Sequence, residues 1–148
     1  MESYSQRDQR WANEKIGSSD LTVGRFGCTL TCIADLTTYF KPDLTPRQIL
    51  EKCKFTPQGL IIWASCNFDN FVFERREYNR NDTQIYQAIA DPNRAVILQV
   101  ANKSHWVVAT GWNYWQHLFK IADPWLGDRA TMKRYADNIT GAAHFRRK

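Results

Sequence analysis

A loop rich in glycine, serine and threonine, Gly17 to Gly27, runs straight into the apolar stretch Cys28-Thr29-Leu30-Thr31-Cys32-Ile33-Ala34. Leu30, Ile33, Ala34 and Leu36 recur at spacings near the helical period, which marks a half-buried helix. The helix is expected over Cys28 to Phe40, because the residue before Pro42 is pushed out of the helical region. A cysteine therefore falls in the first turn of a helix. There it meets backbone N–H groups without intrahelical acceptors and the positive end of the helix dipole. Both favour thiolate over thiol, and the thiolate is the nucleophile. Gly27, having no side chain, is expected to let a substrate approach the sulfur. A cysteine in an apolar helix is also an ordinary small core residue, so the rest of the chain has to decide.

The chain of 148 residues suits one domain, expected over 1–148, and its six Trp, eight Phe and six Tyr are enough to fill a core. No apolar run is long enough to cross a membrane. Met1 to Arg10 lacks the apolar segment of a secretory signal, so synthesis as a soluble cytoplasmic product is expected. Four cysteines do not make a disulfide scaffold, and Cys28 and Cys32 are poorly spaced for a bridge. His105, His117 and His144 are scattered, and no Cys-x-x-Cys completes a zinc set, so neither metal nor cofactor is expected. The net charge of +5 permits an acidic partner without requiring one. The basic residues are dispersed and no nucleic-acid motif appears, so no nucleic-acid partner is expected.

Tyr4 to Asn13 reads as an ordered loop anchored by Trp11. Thr45 caps a helix that begins at Pro46 and runs to about Lys52, with Ile49 and Leu50 inward. Leu60 to Trp63 suggests one or two helical turns. Phe71 to Arg75 is rich in β-formers and reads as a strand. Asp82-Thr83 is expected to cap a helix through Ile85 and Ile89, closed by Pro92. Three strand-like runs follow: Ala95 to Val100, His105 to Trp112, and Leu118 to Ala122. Asn113 to Gln116 forms a hairpin turn between the last two. After the turn at Asp123-Pro124-Trp125-Leu126-Gly127 the tail carries no clear pattern. Helices first and an antiparallel sheet after them make an α+β domain.

A cysteine hydrolase needs a thiol, an imidazole to take its proton and an acceptor to orient that imidazole. Cys28 is the thiol. His105 opens an apolar strand, whereas His117 sits at a hairpin turn and His144 in the tail. Asp123 closes the next strand, and pairing through the turn brings it to the same end of the sheet as His105. Pro124 then stops the ladder. Singly, a strand-end histidine and an Asp-Pro turn are ordinary features; the three together point to nucleophilic chemistry.

The segments Tyr4 to Asn13, Gly27 to Cys32, His105-Trp106-Val107-Val108-Ala109-Thr110-Gly111 and Ile121 to Gly127 come in an order that resembles a known family. It is the papain-like cysteine peptidases related to the bacteriocin-leader (double-glycine) processing peptidases, and above all their stand-alone members in bacteria and phages. The resemblance spans roughly residues 4 to 127. It implies a papain-like fold, with N-terminal helices packed on a C-terminal antiparallel sheet. It implies Cys28 as nucleophile, His105 as general base and acid, and Asp123 as the orienting residue. It also implies an upstream glutamine in the oxyanion hole. Gln6 lies in the matching Ser-Gln-x-Asp segment and Gln9 is a second candidate; spacing alone does not choose.

Two features depart from the family pattern. No transporter module is attached, so leader processing during export is not implied, and Thr29-Leu30-Thr31 follows Gly-Cys where many relatives carry a small residue or proline. The expected activity is hydrolysis of peptide or amide bonds by a monomer, with a peptide or peptidoglycan substrate, no membrane partner, and a phage-encoded, released or virion-associated setting. The alternative is an inactive binding module on the same fold.

Overall fold

The computed structural model describes residues 1–148. In chain order the elements are α1 (Val23–Phe26), α2 (Cys28–Phe40), α3 (Pro46–Lys52), β1 (Phe71–Glu77), α4 (Asp82–Ala90), β2 (Arg94–Val100), β3 (His105–Asn113), β4 (Leu118–Asp123), β5 (Asp128–Thr131) and β6 (Ile139–Arg147). Short 3₁₀ turns cover Trp63–Ser65 and Met132–Tyr135. The six strands form one antiparallel sheet in the order β1-β6-β2-β3-β4-β5. The architecture is α+β. No helix is long and apolar enough to cross a membrane.

The α2 helix has the expected bounds but not the expected exposure. It is buried almost all round, leaving only Thr29 and Tyr39 outside the buried set. The sheet covers one side, and α3 and the N-terminal segment cover the other. Burial on every side leaves its polar residues with few options. Thr31, Thr37 and Thr38 meet them by donating their hydroxyls back to the carbonyls of Gly27, Ala34 and Asp35 at 2.7 to 2.8 Å. The N-terminal segment is tied to the same helix: the Tyr4 N–H donates to Asp35 Oδ1 at 2.7 Å, and the Glu2 N–H to Thr38 Oγ1 at 2.7 Å. Trp11 anchors that segment, as its sequence suggests, with its indole N–H on the Ser5 carbonyl at 2.8 Å.

Alternate residues of the central strands serve two cores. Ile97, Trp106, Val108, Ala143 and Phe145 pack with α2. Val96, Leu98, Val107, Phe119 and Ala142 pack with Ile85 and Ala88 of α4 on the opposite face. A strand buried on both faces has no polar side to show, which explains the nearly continuous apolar run from Ala95 to Val100. Truncating a large side chain in such a core costs about 2–5 kcal/mol.

Several local expectations are corrected. Asn81, not Asp82, caps α4, its side chain accepting the Gln84 N–H at 3.2 Å. Leu60 to Ile62 is extended rather than helical, and Ile61 bridges to Phe55. At Gly27 an added Cβ would lie 2.6 Å from the Val23 carbonyl oxygen, so the glycine serves the close packing of α1 on α2 rather than access to the sulfur. Helices do not all precede the sheet, since β1 comes before α4. The largest correction is the tail, which supplies β5 and β6. The β6 strand lies between β1 and β2, and His144 is fully buried within it.

Neither ring nitrogen of His144 has a hydrogen-bond partner. Glu77 Oε1 lies 3.5 Å from Nε2, outside hydrogen-bonding geometry, and is held by Arg75 instead. Burial, with the nearby charges of Arg75 and Arg94, pulls the imidazole down to about 4. Its unfolded value is near 6.5, so the unfolded chain binds the extra proton first as pH falls. Stability from the neutral ring is intact above about 6.5 and is lost toward pH 4, on the order of 2–3 kcal/mol. Urea unfolding at pH 7 and pH 4.5 is expected to show a smaller acid loss in His144→Leu than in the wild type; equal losses would contradict this.

Candidate active site

Cys28 occupies the first position of α2, with Gly27 as the preceding cap residue. The helix is fixed against β3 one turn deeper, where the Cys32 thiol donates to the Trp106 carbonyl at 3.5 Å. This contact sets the start of α2 beside the start of β3, where His105 stands. Asp123 ends β4. Val108 pairs with Ala122, and a register shift between Ala109 and Gly111 lies farther along, so His105 and Asp123 share one end of the sheet.

Asp123 Oδ1 accepts from His105 Nε2 at 2.8 Å and from the Trp125 N–H at 3.0 Å. The imidazole lines the same cleft as Cys28. With Nε2 committed to the carboxylate, Nδ1 is the atom left for the thiol. Burial lowers the affinity of the ring for a proton. The hydrogen bond to Asp123, the nearby Cys28 and the Asp123 charge outweigh burial and raise His105 to about 9.

Two further residues complete this cluster. Asp123 Oδ2 accepts from Arg134 Nη1 at 3.1 Å and from the Tyr135 hydroxyl. Arg134 is itself held by both oxygens of Asp128 at 2.8 and 2.9 Å. Burial pushes the Asp123 carboxyl up, but bonds from His105, Tyr135 and the Trp125 N–H hold it well below the usual carboxylate range. Arg134 and Tyr135 belong to the turn Met132–Tyr135, whose start is capped by Thr131 Oγ1 accepting the Lys133 N–H at 3.3 Å. Sequence reasoning missed both. The only available signal was their closeness in sequence to the Asp123 turn.

The two candidate glutamines differ sharply. Gln6 is buried, while Gln9 is exposed. The Gln6 N–H donates to the Pro124 carbonyl at 2.7 Å, and its side-chain Nε2 donates to the Gly24 carbonyl at 3.3 Å. It therefore spans the turn that carries Asp123 and the loop that leads to Cys28. Its Oε1 is buried without a partner. Gln6 stands behind the cleft wall and is not among the residues lining the cleft.

Cys28 and His105 open into a cleft of about 480 Å³. Its walls include Phe26, Leu60, Trp63, Trp106 and Trp125, of which Phe26, Leu60 and Trp125 are substantially exposed. Trp63 is packed edge-on to Trp106 at 5.3 Å and stacked on Phe73 at 5.4 Å, so that part of the wall is rigid.

No protein-family profile and no curated protein matches this chain. What the cleft does has to be read from its own chemistry. The arrangement offers a thiol at a helix start, an imidazole with one nitrogen anchored, and a carboxylate held by four donors.

Proposed function

We propose that this protein is a papain-like cysteine hydrolase of peptide or amide bonds. The observation that carries the reading is the imidazole of His105, fixed by Asp123 and sharing an aromatic-walled cleft with Cys28. In this reading Cys28 Sγ, as thiolate, attacks the carbonyl carbon and forms a C–S bond. The carbonyl electron pair moves onto oxygen. The Cys28 N–H at the start of α2 has no intrahelical acceptor and is one donor to that oxyanion. Gln6 is favoured over Gln9 as the second by its burial between the two site-bearing loops; its Nε2 keeps one N–H beyond the one given to Gly24, which must turn past the cleft wall to reach the oxyanion. Collapse of the intermediate breaks the C–N bond, and the imidazolium gives its proton to the departing amine. Water then adds to the thioester with its proton passing to His105, and the acid product leaves as the thiolate is restored. Asp123 holds the ring in the tautomer that these steps need. The substrate is a peptide, including the peptide portions of peptidoglycan.

Alkylation tests this without knowing the substrate. Iodoacetamide at about pH 6, followed by peptide mapping, is expected to label Cys28 first, because it alone of the four cysteines lines the cleft, beside His105. Cys32 is fully buried, and burial pushes its thiol up, so it stays unlabelled; Cys53 and Cys66 lie outside the cleft. His105→Ala is expected to slow Cys28 labelling. If Cys28 is no faster than the other cysteines and His105→Ala changes nothing, the cleft is a binding site rather than a catalytic one.

A further inference from the structure

Three cations line the cleft, Arg25, Arg76 and Lys103, and no aspartate or glutamate does. Arg25 and Lys103 are exposed side chains. Arg76 is different, because the fold builds a seat for it. Its guanidinium lies 4.4 Å from the ring centre of Tyr78 and 4.8 Å from that of Trp106. Nη2 donates to Gln99 Oε1 at 3.1 Å, and that oxygen also accepts from the Thr140 hydroxyl at 3.2 Å. Nη1 donates to the Glu77 carbonyl and, at 3.5 Å, to the Ala142 carbonyl. The strand beneath it makes the room: a Cβ on Gly141 would lie 2.6 Å from Arg76 Nη1.

Every acceptor on Arg76 is a neutral oxygen. No carboxylate pairs with it, although six other arginines of this chain have such partners. A half-buried guanidinium without a counter-ion is an unfavourable arrangement. Burial pulls the proton affinity of Arg76 down in keeping with that. A guanidinium has five N–H donors. The bonds above leave Nε–H and one Nη2–H uncommitted, on a side chain already held in place. Arginine is suited to bidentate capture of a carboxylate, and pre-positioning removes much of the ordering entropy of that capture.

We propose that Arg76 is a specificity residue that captures a carboxylate of the peptide bound in the cleft, so that the preferred substrates are acidic peptides. This rests on the hydrolase reading for the word substrate. The recognition itself does not involve Cys28. The carboxylate belongs either to an Asp or Glu side chain or to a free C-terminus. Arg25 and Lys103 at the cleft wall add a longer-range, salt-sensitive attraction of the same sign.

The test is peptide binding read by tryptophan fluorescence, since Trp63, Trp106 and Trp125 line the cleft. Three acetylated probes are compared at physiological salt: hexaglutamate amide, hexaglutamine amide, and hexaglutamine with a free C-terminus. Hexaglutamate amide is expected to bind on the order of tenfold more tightly than hexaglutamine amide. If the free-terminus probe matches hexaglutamate amide, the terminal carboxylate is the group read; if it matches hexaglutamine amide, the side chain is. Arg76→Gln is expected to remove most of the preference, leaving only the salt-sensitive part that Arg25 and Lys103 supply. Arg76→Lys keeps the charge but not the fork and is expected to fall between, which covers the case in which Arg76→Gln melts early. Arg146→Gln, an exposed arginine outside the cleft, is expected to leave the preference intact. The proposal is overturned if neither carboxylate-bearing probe outbinds the amide, if the preference survives loss of Arg76 undiminished, or if Arg146→Gln erodes it equally. Slow alkylation of Cys28 together with an Arg76-dependent acid preference would instead remove only the hydrolase reading.

Discussion

Asp123→Asn is expected to bring the His105 imidazole down from about 9 to near or below the ordinary value of 6.5, and to lower turnover on the order of 10⁴-fold. The carboxylate accepts from four donors: His105 Nε2, the Trp125 N–H, Arg134 and the Tyr135 hydroxyl. An amide replaces one accepting oxygen with two N–H donors. Turned toward His105, those donors force the ring into the tautomer that carries its proton on Nδ1, where it cannot take one from Cys28. Turned the other way, they face Arg134, which cannot accept. Either orientation leaves a buried donor without a partner, at about 1–3 kcal/mol.

The pH dependence has a definite sign. His105 is raised in the fold, so its contribution to stability is full below pH 6.5 and is lost as pH rises through about 9. Asp123 is depressed, so its contribution is present above the ordinary carboxylate range and is lost as pH falls below it. The stability gap between wild type and Asp123→Asn is therefore widest between about pH 4 and 6.5 and narrows toward pH 9.5. NMR titration of the His105 ring and urea unfolding at pH 6 and 9.5 measure both effects. An unchanged His105 titration in Asp123→Asn would show that the carboxylate does not control the ring.

Asp35→Asn is expected to stabilise the protein at pH 8, by as much as several kcal/mol, and to leave it nearly unchanged at pH 4. Asp35 is fully buried in the middle of α2. Burial drives its carboxyl up to about 8, while the Tyr4 N–H, Arg129 and the N-terminal ammonium oppose that rise and Glu2 adds to it. Oδ1 accepts the Tyr4 N–H, and Oδ2 has no partner at all. The folded value lies above the unfolded one, near 3.9, so the folded state holds the proton while the unfolded state releases it. Stability then falls as pH rises from about 4 to about 8. Asparagine keeps an oxygen for the Tyr4 N–H and carries no charge to strand. Urea midpoints across that pH range decide the matter: a wild type as flat as Asp35→Asn would rule out the buried acid as the cause.

Where the signal was local, the sequence was readable. Pro42 stops α2, and Thr45, Pro46 and Gln48 write out the cap of α3, in which the Thr45 side chain accepts the Gln48 N–H and the Gln48 side chain accepts the Thr45 N–H. The nearly unbroken apolar run of β2 is the mark of a strand buried on both faces. The placement of Cys28, His105 and Asp123 at element ends followed from turn and strand signals alone. What lay hidden depended on neighbours distant in sequence. Gly141-Ala142-Ala143 has weak strand propensity, yet it is a central strand because β1 and β2 close on it from both sides and leave room only for small residues. Arg134 and Tyr135 could not be assigned while the tail had no structure. In the sequence Arg76 is simply the second of two adjacent arginines. Only the folded sheet sets it under Trp106, while its sequence neighbour Arg75 pairs with Glu74 and Glu77.

The position of β6 also governs the order in which this protein can be assembled on the ribosome. β1 emerges with Phe71 and β2 with Arg94, but the strand that joins them begins only at Ile139. Until then a nascent chain carries two open strand edges and no continuous sheet. The long-range pairing of β6 with β1 demands a late loop closure, which slows folding and lengthens the time for which those edges are available to other chains. The cleft that holds Cys28 and His105 also draws Arg76 from β1 and Gln99 from β2, both of which rest against β6. Its full wall therefore forms only after β6 has been synthesised and threaded into the centre, so the site is the last part of the sheet to be assembled.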